Sequence, residues 1–135
     1  MARALELSTQ FLGAVFHKKA IPIPGDKLWV SMHTAAPQGV QDSSEVDYPG
    51  YKRVPVTRNA DGWVIEGLQA ANADMLSFPM VKEGGPFLIT HFGIGTDADG
   101  EGRLLYQGAL GFTLQINRGI VPFFEPGTLV VIERT

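Results

Sequence analysis

Sixteen glycines and nine prolines interrupt a chain of 135 residues, and no other feature limits its fold so strongly. Proline removes a backbone donor and fixes φ, and a glycine inside a helix costs about 1 kcal/mol relative to alanine. A chain broken this often has room for short strands and turns but not for several helices. The breakers also fall in turn-forming pairs. Pro49-Gly50 and Pro126-Gly127 fit type II turns, where glycine supplies the positive φ. Asp61-Gly62 and Asp99-Gly100 are hairpin candidates.

Between these turns the hydrophobic pattern has a period of two. Leu28, Val30 and Met32 alternate with Trp29, Ser31 and His33, and Ala35-Ala36-Pro37 ends the run. The same reading predicts strands over Tyr51–Thr57, Gly62–Leu68, Met75–Phe78, Phe87–Gly95, Arg103–Leu110, Phe112–Asn117 and Leu129–Arg134. Strands about ten residues apart imply a mainly β, antiparallel β-sandwich or barrel-like domain, with no alternation of strand and helix.

One helix precedes the strands. Phe11, Leu12, Val15 and Phe16 recur at three- and four-residue steps, which predicts a helix over Ser8–Lys19, capped by Ser8 or Thr9 and ending on Lys18-Lys19. Ile21-Pro22-Ile23-Pro24-Gly25 then reads as a stiff extended linker. The expected division is an N-terminal helix and Pro-rich linker at 1–27 and a β-sandwich domain at 28–135.

Charge and composition exclude several classes of function. The net charge is -3 and the basic residues are scattered, with only the pairs Lys18-Lys19 and Lys52-Arg53 adjacent, so neither nucleic acid nor an anionic membrane is expected as a partner. With no cysteine, disulfides, thiol catalysis and zinc–thiolate sites are ruled out. Glu6, Ser8, Thr9 and Gln10 interrupt the first apolar residues, unlike the continuous core of a signal peptide.

Several constellations could carry chemistry, and each has a plainer explanation. Gly93-Ile94-Gly95-Thr96-Asp97-Ala98 fits G-x-G-x-x-A, but acidic Asp99-Gly100-Glu101 follows where a dinucleotide site needs a helix, so a glycine-rich hairpin is expected. Asp97, Asp99 and Glu101 alternate like the opening of a calcium loop but lack its glycine spacing. His17, His33 and His91 form no close pair; His33 should share a face with Trp29, and His91 with Phe87 and Ile89, as hydrogen-bonded sheet residues. No serine sits in a nucleophile elbow. The expectation is no enzyme activity, no cofactor and no metal. Trp29, Tyr48, Tyr51, Trp63, Tyr106, Phe123 and Phe124 could stack on sugars or fill the core, and strand-rich cores use such residues.

The order of motifs carries a resemblance. Leu28–Gly39, containing His33-Thr34-Ala35, is followed by Glu45-Val46 and by Gly50-Tyr51-Lys52-Arg53-Val54-Pro55-Val56. Then come Leu76-Ser77-Phe78-Pro79, Ile89-Thr90-His91-Phe92-Gly93-Ile94, Leu104-Leu105-Tyr106-Gln107-Gly108-Ala109-Leu110 and Pro126-Gly127-Thr128-Leu129. From Leu5 to Val131 this succession resembles a group of small virion proteins of tailed bacteriophages, although Thr128 stands where an acid is usual. The resemblance implies a β-sandwich-like, non-enzymatic structural protein of the particle. Members are labelled as head-decoration, minor tail or tail-fibre proteins. A compact unit without fibre repeats suits a capsid decoration or cement protein best, with a minor tail, baseplate or tail-fibre-associated protein as the alternative and a carbohydrate-binding module as a distant one.

That reading places the protein in the virion, assembled in the host bacterial cytoplasm. The major capsid protein is its expected partner, with tail proteins as the alternative. Self-association as a homodimer or homotrimer is expected too, because symmetric contacts multiply weak attachments. The candidate docking residues are Leu5, Leu7, Phe11 and Phe16 in the N-terminal segment, with Tyr48 and Tyr51 as an aromatic anchor. The two tyrosines could equally pin the entrance of a strand.

Overall fold

In the computed structural model of the chain, which describes residues 2–133, ten strands and one helix are found among the described residues. They run in the order β1 (Ala2–Arg3), α1 (Leu5–Phe16), β2 (Lys27–His33), β3 (Val54–Thr57), β4 (Trp63–Glu66) and β5 (Gln69–Asn72). β6 (Leu76–Ser77), β7 (Phe87–Gly95), β8 (Leu104–Ile116), β9 (Phe123–Phe124) and β10 (Val130–Ile132) complete the chain. Arg134, at the end of the last expected strand, lies outside the described residues.

Three antiparallel sheets make a sandwich-like fold. The main sheet has the order β1-β8-β7-β2-β3; the second is β10-β5-β4 and the third pairs β6 with β9. The main sheet sends Val30, Met32, Ile89, Phe92, Ile94 and Ile116 into the core. Leu76, Phe124 and Val131 from the smaller sheets meet them, together with Val46, Tyr48, Phe78, Val81 and Leu129 from the connections. The core is therefore built from many short segments, as the frequency of turns requires.

The turns follow their residue chemistry. At Pro49-Gly50, Tyr51 N–H donates to Tyr48 O at 2.9 Å and Gly50 has φ 87°. At Pro126-Gly127 the corresponding bond from Thr128 to Glu125 is 3.2 Å, and buried Asn72 ties this turn down by donating to Glu125 O and accepting from Leu129 N. Asp99-Gly100 lies in the connection between β7 and β8, which are paired antiparallel. Asp61-Gly62 forms no hairpin, because the chain there passes from the main sheet into the second sheet. The tight hairpin is at Gly67-Leu68, where Gly67 has φ 59° at the first central position between Glu66 and Gln69.

Two expectations at the level of elements change. The helix spans Leu5–Phe16 and begins three residues earlier than its capping residues suggest. Ala4 is its N-cap and has no side-chain cap bond; its N–H instead donates to Leu105 O at 2.8 Å, and β1 pairs with β8 just before it. Attachment to the sheet sets the start of the helix and overrides capping preference. The helix also stops at Phe16, and Lys18, at φ 57°, lies in the turn that leads out of it.

In β7, His91 does not share the core face of Phe87 and Ile89. The register with β8 slips between Ile89 and His91, which shifts the core-facing set to Phe92 and Ile94. On β8 this slip falls at residues 110–113, so the two strands expected on either side of Gly111 form one strand with an unpaired interruption.

Candidate functional site

The connection from β2 to β3 folds over the outer face of the main sheet and carries a buried polar network. Arg53 grips Glu45 with two bonds, Nε to Oε2 and Nη2 to Oε1, both 2.8 Å. Tyr51 donates its hydroxyl to the same carboxylate at 2.5 Å. The remaining donors of Arg53 reach the acidic turn after β7, bonding Asp97 O at 3.0 Å and Gly100 O at 2.6 Å. Burial opposes the charge of Arg53, but the Glu45 carboxylate outweighs it and holds the pKa above its ordinary value. Burial first, and Glu45 second, push the Tyr51 phenol upward.

Gln41 works beside Arg53. Fully buried, it accepts from Asp97 N and Arg103 N at Oε1 and donates from Nε2 to Asp97 O, while its own N–H donates to Glu101 O at 2.6 Å. Glycine makes this approach possible. A Cβ on Gly95 would lie 2.1 Å from Gln41 Cδ, and one on Gly102 would lie 1.9 Å from Gln41 Oε1. A Cβ on Gly93 would come within 2.7 Å of both His33 Nε2 and Ser31 Oγ. The Gly93-Ile94-Gly95 run thus makes space for buried polar side chains, and β8 follows it where a nucleotide site would need a helix.

His33 is buried with both ring nitrogens engaged. Ser43 O lies 2.8 Å from Nδ1, and a carbonyl can only accept, so Nδ1 carries a proton; Nε2 meets Ser31 Oγ at 2.7 Å. Burial lowers its pKa below 6.5, against the raising effects of the Ser43 carbonyl and Glu45. His91 lies opposite His33 in the β2–β7 pairing and contacts Thr90 Oγ1 at 2.8 Å. Among the described residues no group of three or more His, Cys, Asp or Glu could hold a metal ion. The side chains of Asp97, Asp99 and Glu101 are exposed, while the carbonyls of Asp97 and Gly100 are already taken by Arg53.

The candidate docking residues separate into two groups. Tyr48 is 1% exposed, donates to Pro79 O at 2.6 Å, and packs edge-on against Tyr51 with ring centroids 5.4 Å apart. Burial pushes its phenol up to about 12. Tyr51 stacks on Phe78, which meets Phe124 at 5.8 Å. Tyr48 is therefore a core residue and Tyr51 a half-buried one packed against the core at a strand entrance, so neither stands out as an exposed aromatic anchor. In α1, Leu7 is also buried, at 1% exposure, and Phe11 is half-buried. Leu5 and Leu7 lie inside the helix, one and three residues after its N-cap, so one turns outward and the other inward.

The outer stripe of α1 is what remains available. Leu5, Leu12, Val15 and Phe16 are 84%, 60%, 74% and 75% exposed. Helical spacing missed Leu12 and Val15 as surface residues because it groups all four apolar positions on one face and does not say which half of a doubly apolar helix the sheet covers. Beside this stripe a groove of about 640 Å³ runs along Thr9, Leu12, Gly13 and Phe16, closed on its far side by Lys19 and Pro22. A second, apolar cleft of about 710 Å³ opens between the main and second sheets, lined by Leu28, Trp63, Ile65, Ala70, Tyr106 and Val131. The charged groups at its rim have partners: Arg58 donates to Ile23 O and Gly25 O, and Glu133 accepts from Tyr106.

Residues 4–132 match the family model described as Podophage GP4 fiber I protein gp80. The chain belongs to this family. No curated protein matches the chain. Membership in the fiber I family makes the chain a structural protein of a phage virion and agrees with the resemblance seen in the order of its motifs. The structure supplies a physical reason for two of those motifs. Glu45, Tyr51 and Arg53 are the three members of one buried hydrogen-bonded cluster, so Glu-Val and Gly-Tyr-x-Arg are two halves of a clamp that closes the β2–β3 connection onto the β7–β8 turn.

Proposed function

We propose that the protein is a non-enzymatic, tail-fibre-associated module of the virion, which contributes a rigid sandwich and a surface helix to a larger fibre assembly. The family match across nearly the whole length of the chain carries this reading, because the family it names is a fibre protein. It also favours tail or fibre proteins as partners over the major capsid protein, and so favours the alternative over capsid decoration. The non-enzymatic part is supported by the fate of the polar residues: His33, Ser31, Gln41, Glu45 and Arg53 all spend their hydrogen bonds inside the molecule. On this reading the protein folds in the host bacterial cytoplasm and is incorporated into the particle there.

The test is to disrupt purified virions, separate tails with their fibres from empty heads, and quantify the protein in each fraction by mass spectrometry. Enrichment with tails and fibres is expected. Recovery on empty heads, in proportion to the capsid protein, would overturn the fibre reading and return the protein to capsid decoration.

A further inference from the structure

We propose that the cleft between the main and second sheets binds a free medium-chain carboxylate, its hydrocarbon chain held between the sheets and its carboxylate on Arg58. Two rows of side chains line the space. On the second sheet Ile65, Ala70 and Val131 are direct neighbours across three paired strands, and on the main sheet Ile94 pairs with Tyr106. Ala70, at the centre of its row, is too small to fill the gap. Ile65 shares a face of β4 with Trp63 and lines the cleft, yet it is 75% exposed, so the protein does not close the site with its own side chains. A space of about 710 Å³ is the size of a small-molecule site, and an apolar recess takes up hydrocarbon more readily than water.

The polar groups at the rim select the class of ligand. A sugar needs many free hydrogen-bonding side chains, and here Asn59 Oδ1 already accepts from the N–H groups of Asp61 and Gly62, while Glu133 accepts from Tyr106. Among the described residues that line the cleft, Arg58 is the sole cation and Glu133 the sole anion. They stand at opposite ends. Arg58 precedes β4, whereas Glu133 N–H donates to Leu68 O at 2.8 Å, beyond the far end of that strand. From Trp63 to Gly67 the chain between them spans about 13 Å. Arg58 is exposed, and its bonds to Ile23 O and Gly25 O both use Nη1, which fixes the guanidinium at the mouth with Nε and Nη2 left for a carboxylate. The head of the ligand therefore sits at the Arg58 end, away from Glu133, and its chain runs along β4 toward Leu68. The occupant is a free acid and not a bilayer lipid, because the site is a recess between two sheets and a net charge of -3 does not draw the protein to an anionic membrane. This site is independent of where in the virion the protein sits.

The test titrates the full chain with decanoate and with decanol, each below its aggregation limit, using calorimetry and the emission of a Trp29→Phe variant in which Trp63 is the remaining tryptophan. Decanoate should bind saturably, one per chain, and change the Trp63 emission. The unmodified chain should prefer decanoate to decanol about threefold to fivefold, and Arg58→Gln should remove that preference. Because the ratio is read within one variant, it holds even where the loss of Arg58 loosens the linker. Octanoate, with two fewer methylenes to bury, should bind about tenfold more weakly than decanoate. Ile65→Glu should abolish binding while thermal unfolding stays cooperative, since Ile65 already faces solvent. Absence of saturable decanoate binding, equal affinity of the unmodified chain for decanoate and decanol, or binding untouched by Ile65→Glu would each overturn the proposal. Co-sedimentation with phosphatidylglycerol vesicles would also overturn it, by reassigning the cleft to a bilayer lipid.

Discussion

Arg53 and Glu45 meet through two parallel 2.8 Å hydrogen bonds with their side chains only 2% and 11% exposed. Planar guanidinium against planar carboxylate satisfies both groups at once, which a point charge cannot do. Removing one partner leaves the other charge buried and uncompensated, at a cost of about 3–5 kcal/mol. Arg53→Ala and Arg53→Lys should therefore both destabilise the protein strongly in urea unfolding, with lysine recovering little of the loss. Replacing the pair together, as Glu45→Gln with Arg53→Met, should cost less than Arg53→Ala alone. A loss in the double variant equal to the sum of the Glu45→Gln and Arg53→Met losses would show that the pair does not act as a unit.

Gly95 gives way to Gln41, and a methyl group placed there meets the amide at 2.1–2.3 Å. Overpacking of this kind costs about 1–3 kcal/mol. Gly95→Ala should lose about that much in chemical denaturation. In the Gln41→Ala background the same substitution should cost much less, because the obstructing side chain is gone. Additive losses in this double-mutant cycle would refute the steric origin.

Protonation of His33 should be visible in stability. Its folded-state pKa lies below 6.5 because burial disfavours the imidazolium. The unfolded chain therefore takes up a proton first as the solution is acidified, and unfolding gains from it. The stability contributed by neutral His33 is complete above pH 6.5 and is lost as pH falls through that value toward the lowered folded-state pKa. Melting temperature should decline from pH 7.5 to about pH 5, and the His33→Gln variant, less stable at neutral pH, should decline less steeply over the same interval. An equal decline in both proteins would remove His33 as the cause.

Calcium should leave the melting temperature unchanged. Ion binding to the turn after β7 would need its carbonyls as well as its carboxylates, and Asp97 O and Gly100 O are held by a guanidinium. Millimolar calcium followed by excess chelator, with thermal unfolding as the readout, checks this; a rise of several degrees that the chelator reverses would contradict it.

The long strands were legible because they obey period two over many residues. Phe87–Gly95 keeps its expected bounds, and the strand ending at His33 differs by a single residue at its start. The two-residue strands β1 and β9 have too few positions to show a period, whereas β6 falls inside the strand expected over Met75–Phe78. β5 was hidden for another reason: Gln69-Ala70-Ala71-Asn72 lacks the branched and aromatic residues that advertise strands, and its pairing with β4 and β10 makes it one. The clamp was half legible. Glu45 and the Tyr51–Arg53 segment stood out as recurring motifs, but no local pattern says that residues eight apart share a carboxylate, or that Gln41 reaches a turn 56 residues away. Tyr48 and Tyr51 carry the same ambiguity as any amphipathic aromatic, and only the packing of Phe78 and Phe87 around them resolves it.

The proline-rich segment after α1 is strapped to the sandwich at several points, since Arg103 donates to Pro22 O and Arg58 donates to Ile23 O and Gly25 O. Its other end begins with β1, laid antiparallel along β8. Tension applied through α1 is thus delivered to two places at once, the edge of the main sheet and the far side of the linker, and the load is divided between strand pairing and arginine straps. A single hairpin pulled from one end opens bond by bond like a zipper; a helix tethered on both sides must break its attachments together.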